Sequence, residues 1–332
     1  MISYAQNFED VILERFFKEQ KSGFYVDIGA ADPVMDSVTK HLYDKGWRGI
    51  NIEPSPQLFV KLVLERTRDI NLNCLCSNQD NLNTFFNIPN SGLSTVYQNL
   101  AVSAVKVEGQ KDYEGNAINS FEKILIESRK LSSILEHYAN NFEIDFLKID
   151  VEGSEKEVIE SNDWSLFRPK IIIVESTIPS SQIANFQSWD NILISSDYFF
   201  VYFDGLNRFY LRNDLIDFKE VFSYPPCVFD EFIKNSEINK QIQLNEFHLQ
   251  QIELQSDNQK LLLNYQDLKT HHHELQSQHR NIQAQNIDLI LQNHELTNKV
   301  NAILNSYTWR IIKPLRWILD LSNYIVRSAF FS

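Results

Sequence analysis

Residues 24–33 read Phe24-Tyr25-Val26-Asp27-Ile28-Gly29-Ala30-Ala31-Asp32-Pro33, a short apolar run that passes into a tight turn. The run has the length of a buried strand. A strand ending in Asp-x-Gly opens a turn that faces a nucleotide in many open α/β sheets. A pyrophosphate needs several glycines in that turn so that the backbone can approach it. Here Gly29 stands alone, and Asp27 and Asp32 repel a diphosphate at close range. An acidic turn with one glycine suits a nucleoside ligand that carries positive charge, such as an ammonium and a sulfonium.

Outward from this stretch, β-rich runs alternate with helical patterns. Residues 25–28, 49–52, 70–74, 146–149 and 170–175 are expected as strands, and 37–45, 56–67, 154–161 and 181–195 as helices. Such alternation implies a parallel sheet covered on both faces. The stretch 84–111 breaks the rhythm and reads as a strand-rich insertion. Residues 198–204 and 208–211 flank Asp204-Gly205-Leu206-Asn207 and read as a hairpin closing the sheet edge.

Ligands of an open α/β sheet bind at the carboxyl ends of its strands, so the residues just after each strand are the candidates. They are Asp27, Gly29, Ala30, Ala31 and Asp32; Glu53, Pro54 and Ser55; Ser77, Asn78 and Asp80; Asp150, Glu152 and Gly153; Glu175 and Ser176. An acid such as Glu53, ending the second strand, accepts both hydroxyls of a ribose. That suits an adenosine ligand, NAD or S-adenosylmethionine, and the single-glycine turn favours S-adenosylmethionine.

Composition sets the outer bounds. The chain has 332 residues, 43% hydrophobic and 12% aromatic, enough for one large domain and an extra module. A net charge of −13 argues against general nucleic-acid binding, which needs a basic surface. Cys74, Cys76 and Cys227 are its three cysteines. Cys74-x-Cys76 is no zinc spacing, and the pair reads as two small buried hydrophobes. Such sparse cysteine fits a reducing compartment. The first residues, MISYAQNFEDVILERFF, lack the basic region of a signal peptide. No apolar run reaches the roughly 20 residues of a spanning helix.

All nine glycines lie at or before Gly205, and neither glycine nor proline occurs between Pro226 and Pro314. That second part reads as one long helix. Phe247, Leu254, Leu261, Leu268, Leu275, Ile282, Leu289, Leu296 and Ile303 recur every seventh residue. Four residues after most of them stands a second row: Gln251, Asn258, Tyr265, His272, His279, Asn286, Asn293 and Val300. One apolar and one mostly polar row predict a coiled coil that joins this chain to copies of itself, as a dimer or trimer, with register set by the polar row. A helix over 247–303 extends about 85 Å at 1.5 Å per residue. The tract His271-His272-His273 is read as a polar patch, because successive helix residues face different directions.

The tail, 306–332, changes again. Ile311, Ile312, Leu315, Ile318, Leu319, Ile325, Val326 and Ala329 form one helical stripe, with Arg310, Lys313, Asp320, Asn323 and Arg327 opposite. Trp309, Trp317 and Tyr324 suit a headgroup layer. A basic amphipathic helix of this kind reads as a contact with the membrane surface, and a capping helix on coiled-coil neighbours is the alternative.

The segments YVDIGAADP, TKHLYDKGWRGINIEPSPQLF, RDINLN, GLSTV, IDFLKIDVEGSEKEVI and YFFVYFDGLNRFYL, in that order, resemble the FkbM family of S-adenosylmethionine-dependent methyltransferases. The opening SYAQNFEDVIL resembles that family's start, so the likeness covers about residues 1–230. The resemblance implies a Rossmann-like class I methyltransferase fold: α/β, with a mainly parallel seven-stranded sheet whose last strand is antiparallel. It also implies O-methylation, often of a sugar hydroxyl. Carried over, Asp27, Gly29 and Ala30 line the methionine end and Glu53 holds the ribose; Asp32, from the acidic turn, and Pro54, after the second strand, are further candidates for the cofactor. Ser77 and Asn78 match the turn near the adenine, where the family often has an acid. Gln6 and Asp10 match the opening motif that closes over the cofactor. Ala31 departs from the polar residue usual at its position.

Transfer from a sulfonium mainly requires alignment of oxygen, carbon and sulfur, and a base that accepts the hydroxyl proton helps. His41, in an expected helix, is read as packing, so a carboxylate is the expected base. Asp150 is first, then Glu152 and Glu175. Each has a plainer role open to it: Asp150 as a cofactor contact, Glu152 as a cap of the helix near Ser154, and Glu175 as a partner of Lys148. Paired acids such as Asp150 and Glu152 also suit a divalent metal.

The organisation expected is a methyltransferase domain over 1–230, a linker and helix start over 231–246, a coiled coil over 247–305 and a membrane-contacting helix over 306–332. The function expected is O-methylation of a surface polysaccharide or lipid-linked glycan precursor, in the bacterial cytoplasm at the inner face of the membrane. The alternative is a degenerate methyltransferase-like scaffold that organises glycan-assembly enzymes.

Overall fold

The run at 24–28 becomes the centre of a sheet in the computed structural model. The structure describes residues 1–179 and 181–329, with the side chains of Trp309, Lys313 and 321–329 outside the described ones. The chain opens with β1 (Ile2–Ser3) and α1 (Glu9–Phe16). It continues through β2 (Phe24–Ile28), α2 (Lys40–Asp44), β3 (Arg48–Ile52), α3 (Pro56–Glu65) and β4 (Ile70–Leu72). Then come β5 (Leu75–Cys76), β6 (Asn81–Asn87), α4 (Gln98–Ala104), β7 (Glu122–Arg129) and α5 (Leu131–Tyr138). β8 (Phe146–Ile149), α6 (Glu155–Glu160), β9 (Ile171–Glu175), α7 (Asp190–Ser195), β10 (Tyr198–Phe203) and β11 (Asn207–Arg212) follow. After β12 (Ile233–Lys234), α8 (Asn235–Asn305) and α9 (Tyr307–Ala329) end the described chain.

Seven strands form the main sheet in the order β10-β11-β9-β8-β2-β3-β4. Neighbours from β9 to β4 are parallel, and β11 runs against both β9 and β10. The sheet is therefore mixed, with one reversed strand. Its two faces follow from the two-residue period of a strand. Val26, Ile28, Leu147, Ile149, Ile172 and Val174 pack with Leu131, Ile134, Val158 and Leu193 on one side. Tyr25, Phe146, Ile171 and Ile173 pack with Ile12, Leu13, Phe17 and Leu42 on the other. A sheet covered on both sides explains why these strands read as nearly continuous apolar runs.

Several expected boundaries shift for local reasons. The strand expected at 70–74 stops at Leu72, because Asn73 turns the chain and its Nδ2 donates to the carbonyls of Glu53 and Pro54 at 2.9 and 3.0 Å. Leu75–Cys76 then joins a separate three-stranded sheet, β5-β7-β6. Cys74 and Cys76 are buried free thiols, and burial pushes the Cys74 thiol up to about 11. The insertion at 84–111 is not strand-rich: past Asn87 its regular element is the helix α4. The helix expected from 37 starts at Lys40, because Ser37 and Thr39 turn their hydroxyls onto Arg66 and Asp27. The helix expected over 181–195 is regular only from Asp190, since Ile178 N–H bonds the Ile183 carbonyl and Asn185 N–H that of Ser176.

The first and last parts of residues 1–242 are tied together. β1 pairs in parallel with β12. Arg15 Nε and Nη2 donate to Asp230 at 2.5 and 2.7 Å, and its Nη1 and Nη2 also donate to the carbonyls of Val221, Tyr224 and Pro225. Chain contacts divide the molecule into 1–242 and 243–332. In the second unit α8 continues unbroken to Asn305 and leaves Phe247, Leu254, Leu261, Leu268, Leu275, Ile282, Leu289, Leu296 and Ile303 exposed. The helix itself starts at Asn235, within the 231–246 expected as linker and helix start. A break at Ser306 precedes α9, which runs through Pro314. The expected tail to 332 thus reaches past the described residues, and the stripe positions Ile325, Val326 and Ala329 lie among the undescribed side chains. No helix of the described residues is long and apolar enough to cross a membrane.

Candidate active site

At the carboxyl ends of β2, β3 and β8 the outward step of the chain leaves a cavity of about 350 Å³. Its floor is the turn after β2. Gly29 has φ 76° and Ala31 φ 51°, and the N–H groups of Gly29 and Ala30 both donate to the Ile52 carbonyl, at 2.9 and 3.2 Å. The turn is folded over the end of β3 so closely that a Cβ on Gly29 would lie 1.7 Å from the Asp150 carbonyl oxygen. Glycine is required there by contact and by backbone angle.

Glu53 directly follows β3 and is held from both sides. Its Oε2 accepts from Ala31 N–H at 2.8 Å and its Oε1 from Ser55 N–H at 2.7 Å. Burial pushes its carboxyl up to about 7, against the pull of these two bonds and of Lys148. A carboxylate accepts about four hydrogen bonds, so lone pairs remain for a ligand's hydroxyls. The Ala31 position, which lacks a polar side chain, contributes through its backbone by fixing Glu53.

A polar row crosses the sheet beside this turn. Asp27 stands in register with Asn51 of β3 and Lys148 of β8. Lys148 Nζ lies 3.6 Å from Asp27 Oδ1, 3.2 Å from Asp150 Oδ2 and 3.3 Å from the Gly29 carbonyl. Asp27 is buried, accepts from Thr39 Oγ1 at 3.2 Å and leaves Oδ1 without a hydrogen bond. Burial raises the Asp27 carboxyl, and Lys148 offsets part of that shift. Burial pulls the Lys148 ammonium down, but Asp150 and Asp27 together hold it above its ordinary range. Lys148 thus pairs with Asp27 and Asp150 and not with Glu175.

The carboxyl end of β8 carries the remaining acids. Glu152 sits in a left-handed turn with φ 51° and does not cap α6. Glu155 serves the turn instead, accepting from Gly153 N–H at 2.9 Å. Burial, then the charges of Asp150 and Glu155, push the Glu152 carboxyl well up. Glu175, the last residue of β9, is pushed up by burial and then by Asp150 and Glu152.

Of the residues expected at the site, Gln6, Asp27, Gly29, Ala30, Glu53, Pro54, Asp150 and Glu152 line the cavity. Others have different partners. Asp10 is buried and accepts from Ser3 Oγ and from the N–H groups of Tyr4 and Ala5 at 2.7, 2.7 and 3.3 Å, which shapes the opening loop. Asp32 accepts from the N–H groups of Val34 and Met35 and meets Lys61 at 3.6 Å. Ser77 and Asn78 follow β5 and are not among the lining residues, whereas Cys74, Leu75 and Cys76 are. Glu175 is buried behind Asp150 and Glu152 and is not part of the lining either. His41 in α2 bonds Glu14 at 3.3 Å, away from the cavity.

Asp36, Lys111, Tyr113 and Lys148 line the cavity without having been expected there. Lys148 left a readable signal, a lysine inside the strand Phe-Leu-Lys-Ile. Lys111 ends the insertion and Tyr113 follows it, in chain where periodicity carries no information about what it folds over. Altogether Asp27, Asp36, Glu53, Asp150 and Glu152 oppose Lys111 and Lys148 on the walls. This lining, richer in carboxyl groups than in ammonium groups, matches a cationic ligand, and Glu53 matches a ribose. The residues present therefore fit S-adenosylmethionine.

Residues 27–202 match the family model described as the methyltransferase FkbM domain, more than half of the chain. A comparison with curated proteins finds no match. The chain belongs to the FkbM methyltransferase family.

Proposed function

We propose that this FkbM-family methyltransferase uses S-adenosylmethionine to methylate a sugar hydroxyl of a surface polysaccharide or a lipid-linked glycan precursor. One observation carries the reading: a cavity at the strand ends with one glycine in its turn, Glu53 at the end of β3 and a net acidic wall. S-adenosylmethionine bound there supplies a methyl group already activated by its sulfonium. Glu53 binds the ribose through the lone pairs that Ala31 and Ser55 leave free. Asp27 and Asp150, with Lys148 between them, set the charge at the methionine end. Asp150, whose side chain is 32% exposed, accepts the proton of the acceptor hydroxyl. Gln6, Lys111 at the end of the insertion and the nearby Tyr113 exclude water.

The exposed apolar row of α8 supports association of copies through a coiled coil. The apolar residues Ile311, Ile312, Leu315, Ile318 and Leu319 of α9, beside Arg310 and Arg316, support a peripheral contact with an anionic lipid surface at the cytoplasmic face. Calorimetry of the full chain with S-adenosylmethionine tests the cofactor. Mass spectrometry of surface glycans with and without the gene tests the substrate, the expected change being loss of one CH₂ increment. Absence of S-adenosylmethionine binding would favour the scaffold role instead. Unchanged sedimentation with anionic vesicles after deletion of 306–332 would remove the membrane contact.

A further inference from the structure

Three carboxylates converge where β8 and β9 end. Asp150, Glu152 and Glu175 each bring an oxygen within 4.8 Å of the other two. Lys148 is the cation at hand, and it meets Asp150 at 3.2 Å while also serving Asp27. Glu152 and Glu175 make no ion pair among the described residues. Glu175 adds an observation of a different kind. It is 7% exposed, and its Oε2 has no hydrogen-bond partner. Buried carboxylate oxygens are ordinarily taken up by donors, as Glu155 and Glu53 are here. The buried Oε2 stands beside two further carboxylates with neither a hydrogen-bond donor nor a cation among the described residues.

We propose that Asp150, Glu152 and Glu175 bind a divalent cation of the hard, oxygen-preferring class, Mg²⁺ or Mn²⁺. Carboxylate oxygens are the ligands this class takes, and three of them leave further positions of an octahedral site to water or to a ligand oxygen. Asp150 and Glu152 line the cavity while Glu175 lies behind them, so the ion forms part of the cavity wall. Asp150 holds it through one oxygen and keeps the other for Lys148 and the acceptor hydroxyl. The two turns that end β8 and β9 are joined by the ion, which offsets the repulsion that otherwise separates them.

The full chain, stripped with EDTA and titrated with MnCl₂, tests this through the paramagnetic resonance signal of free Mn²⁺ and through thermal unfolding. One saturable site that Mg²⁺ competes for is expected, with a rise in the unfolding temperature. Glu175→Gln and Glu152→Gln should each weaken Mn²⁺ by more than about tenfold, while both still unfold cooperatively. Asp163→Asn, on an exposed turn, and His272→Ala, on α8, should bind as the unaltered chain does. Equal binding by the unaltered chain and both glutamine variants, or no saturable site, would overturn the proposal and leave the acids sharing protons. The readout is the metal alone, and S-adenosylmethionine binding measured on the same samples separates its failure from failure of the methyltransfer reading.

Discussion

Gly29 has two reasons to be glycine, a positive φ and an Asp150 carbonyl where a Cβ would stand. Neither relaxes without moving the end of β8. Gly29→Ala is therefore expected to lower the unfolding free energy by about 2–4 kcal/mol and to abolish cofactor binding, which urea denaturation and calorimetry would measure. Glu53 is a second test. Its carboxyl moves from an ordinary 4.5 to about 7 on folding, chiefly through burial. The folded state holds that proton more tightly, so this contribution to stability is complete below the unfolded value and is lost as pH rises through about 7. Thermal unfolding followed from about pH 5 to 8 should show a decline, flattened in Glu53→Gln. A ligand whose hydroxyls donate to ionised Glu53 should bind more tightly above that pH. Both residues were legible in the sequence, because strand ends are marked by punctuation. Asp36 and Tyr113 were not, since their place depends on loops that fold back over the sheet.

Elements show where local signals suffice and where they fail. β2, β8 and β9 are nearly continuous apolar runs, and Asp204-Gly205-Leu206-Asn207 sets the β10–β11 hairpin; each is decided within a few residues. β7, the middle strand of the small sheet, was missed because its apolar residues, Ile124-Leu125-Ile126, are only three between charged ends, and Leu125 is exposed. The break between β4 and β5 is set by Asn73 binding carbonyls about one βα unit away, which no window of sequence contains. The α1 latch is likewise long-range. Arg15 is mostly buried against Asp230 and three carbonyls, so Arg15→Ala leaves several acceptors unpaired. A loss of about 2–4 kcal/mol is expected, with faster amide exchange over residues 221–234 as the local readout.

For the whole molecule, residues 1–242 and the long helix carry separate kinds of information. The first unit encloses a core and a cavity, whereas α8 exposes a row of leucines and isoleucines that lacks a covering surface within its own unit. Sedimentation equilibrium should find the full chain oligomeric and a chain ending at Ile242 monomeric and folded. Replacing Leu268 and Leu275 by asparagine should dissociate the oligomer, each removing about 2–3 kcal/mol of apolar burial per helix. The heptad made the long helix and its exposed apolar row legible, but pairing and the number of strands depend on partners that one chain does not contain. The pairing of β1 with β12 bears on the timing of synthesis. Ile2 waits for Ile233, Glu9 for Asn207 and Arg15 for Asp230. A ribosome adding about 5–20 residues per second leaves that amino-terminal segment without its partners for tens of seconds. The start of α8 leaves the ribosome directly after the strand that closes the head. A growing chain is thus expected to need protection early, and to offer its helix to other copies only once the catalytic unit is complete.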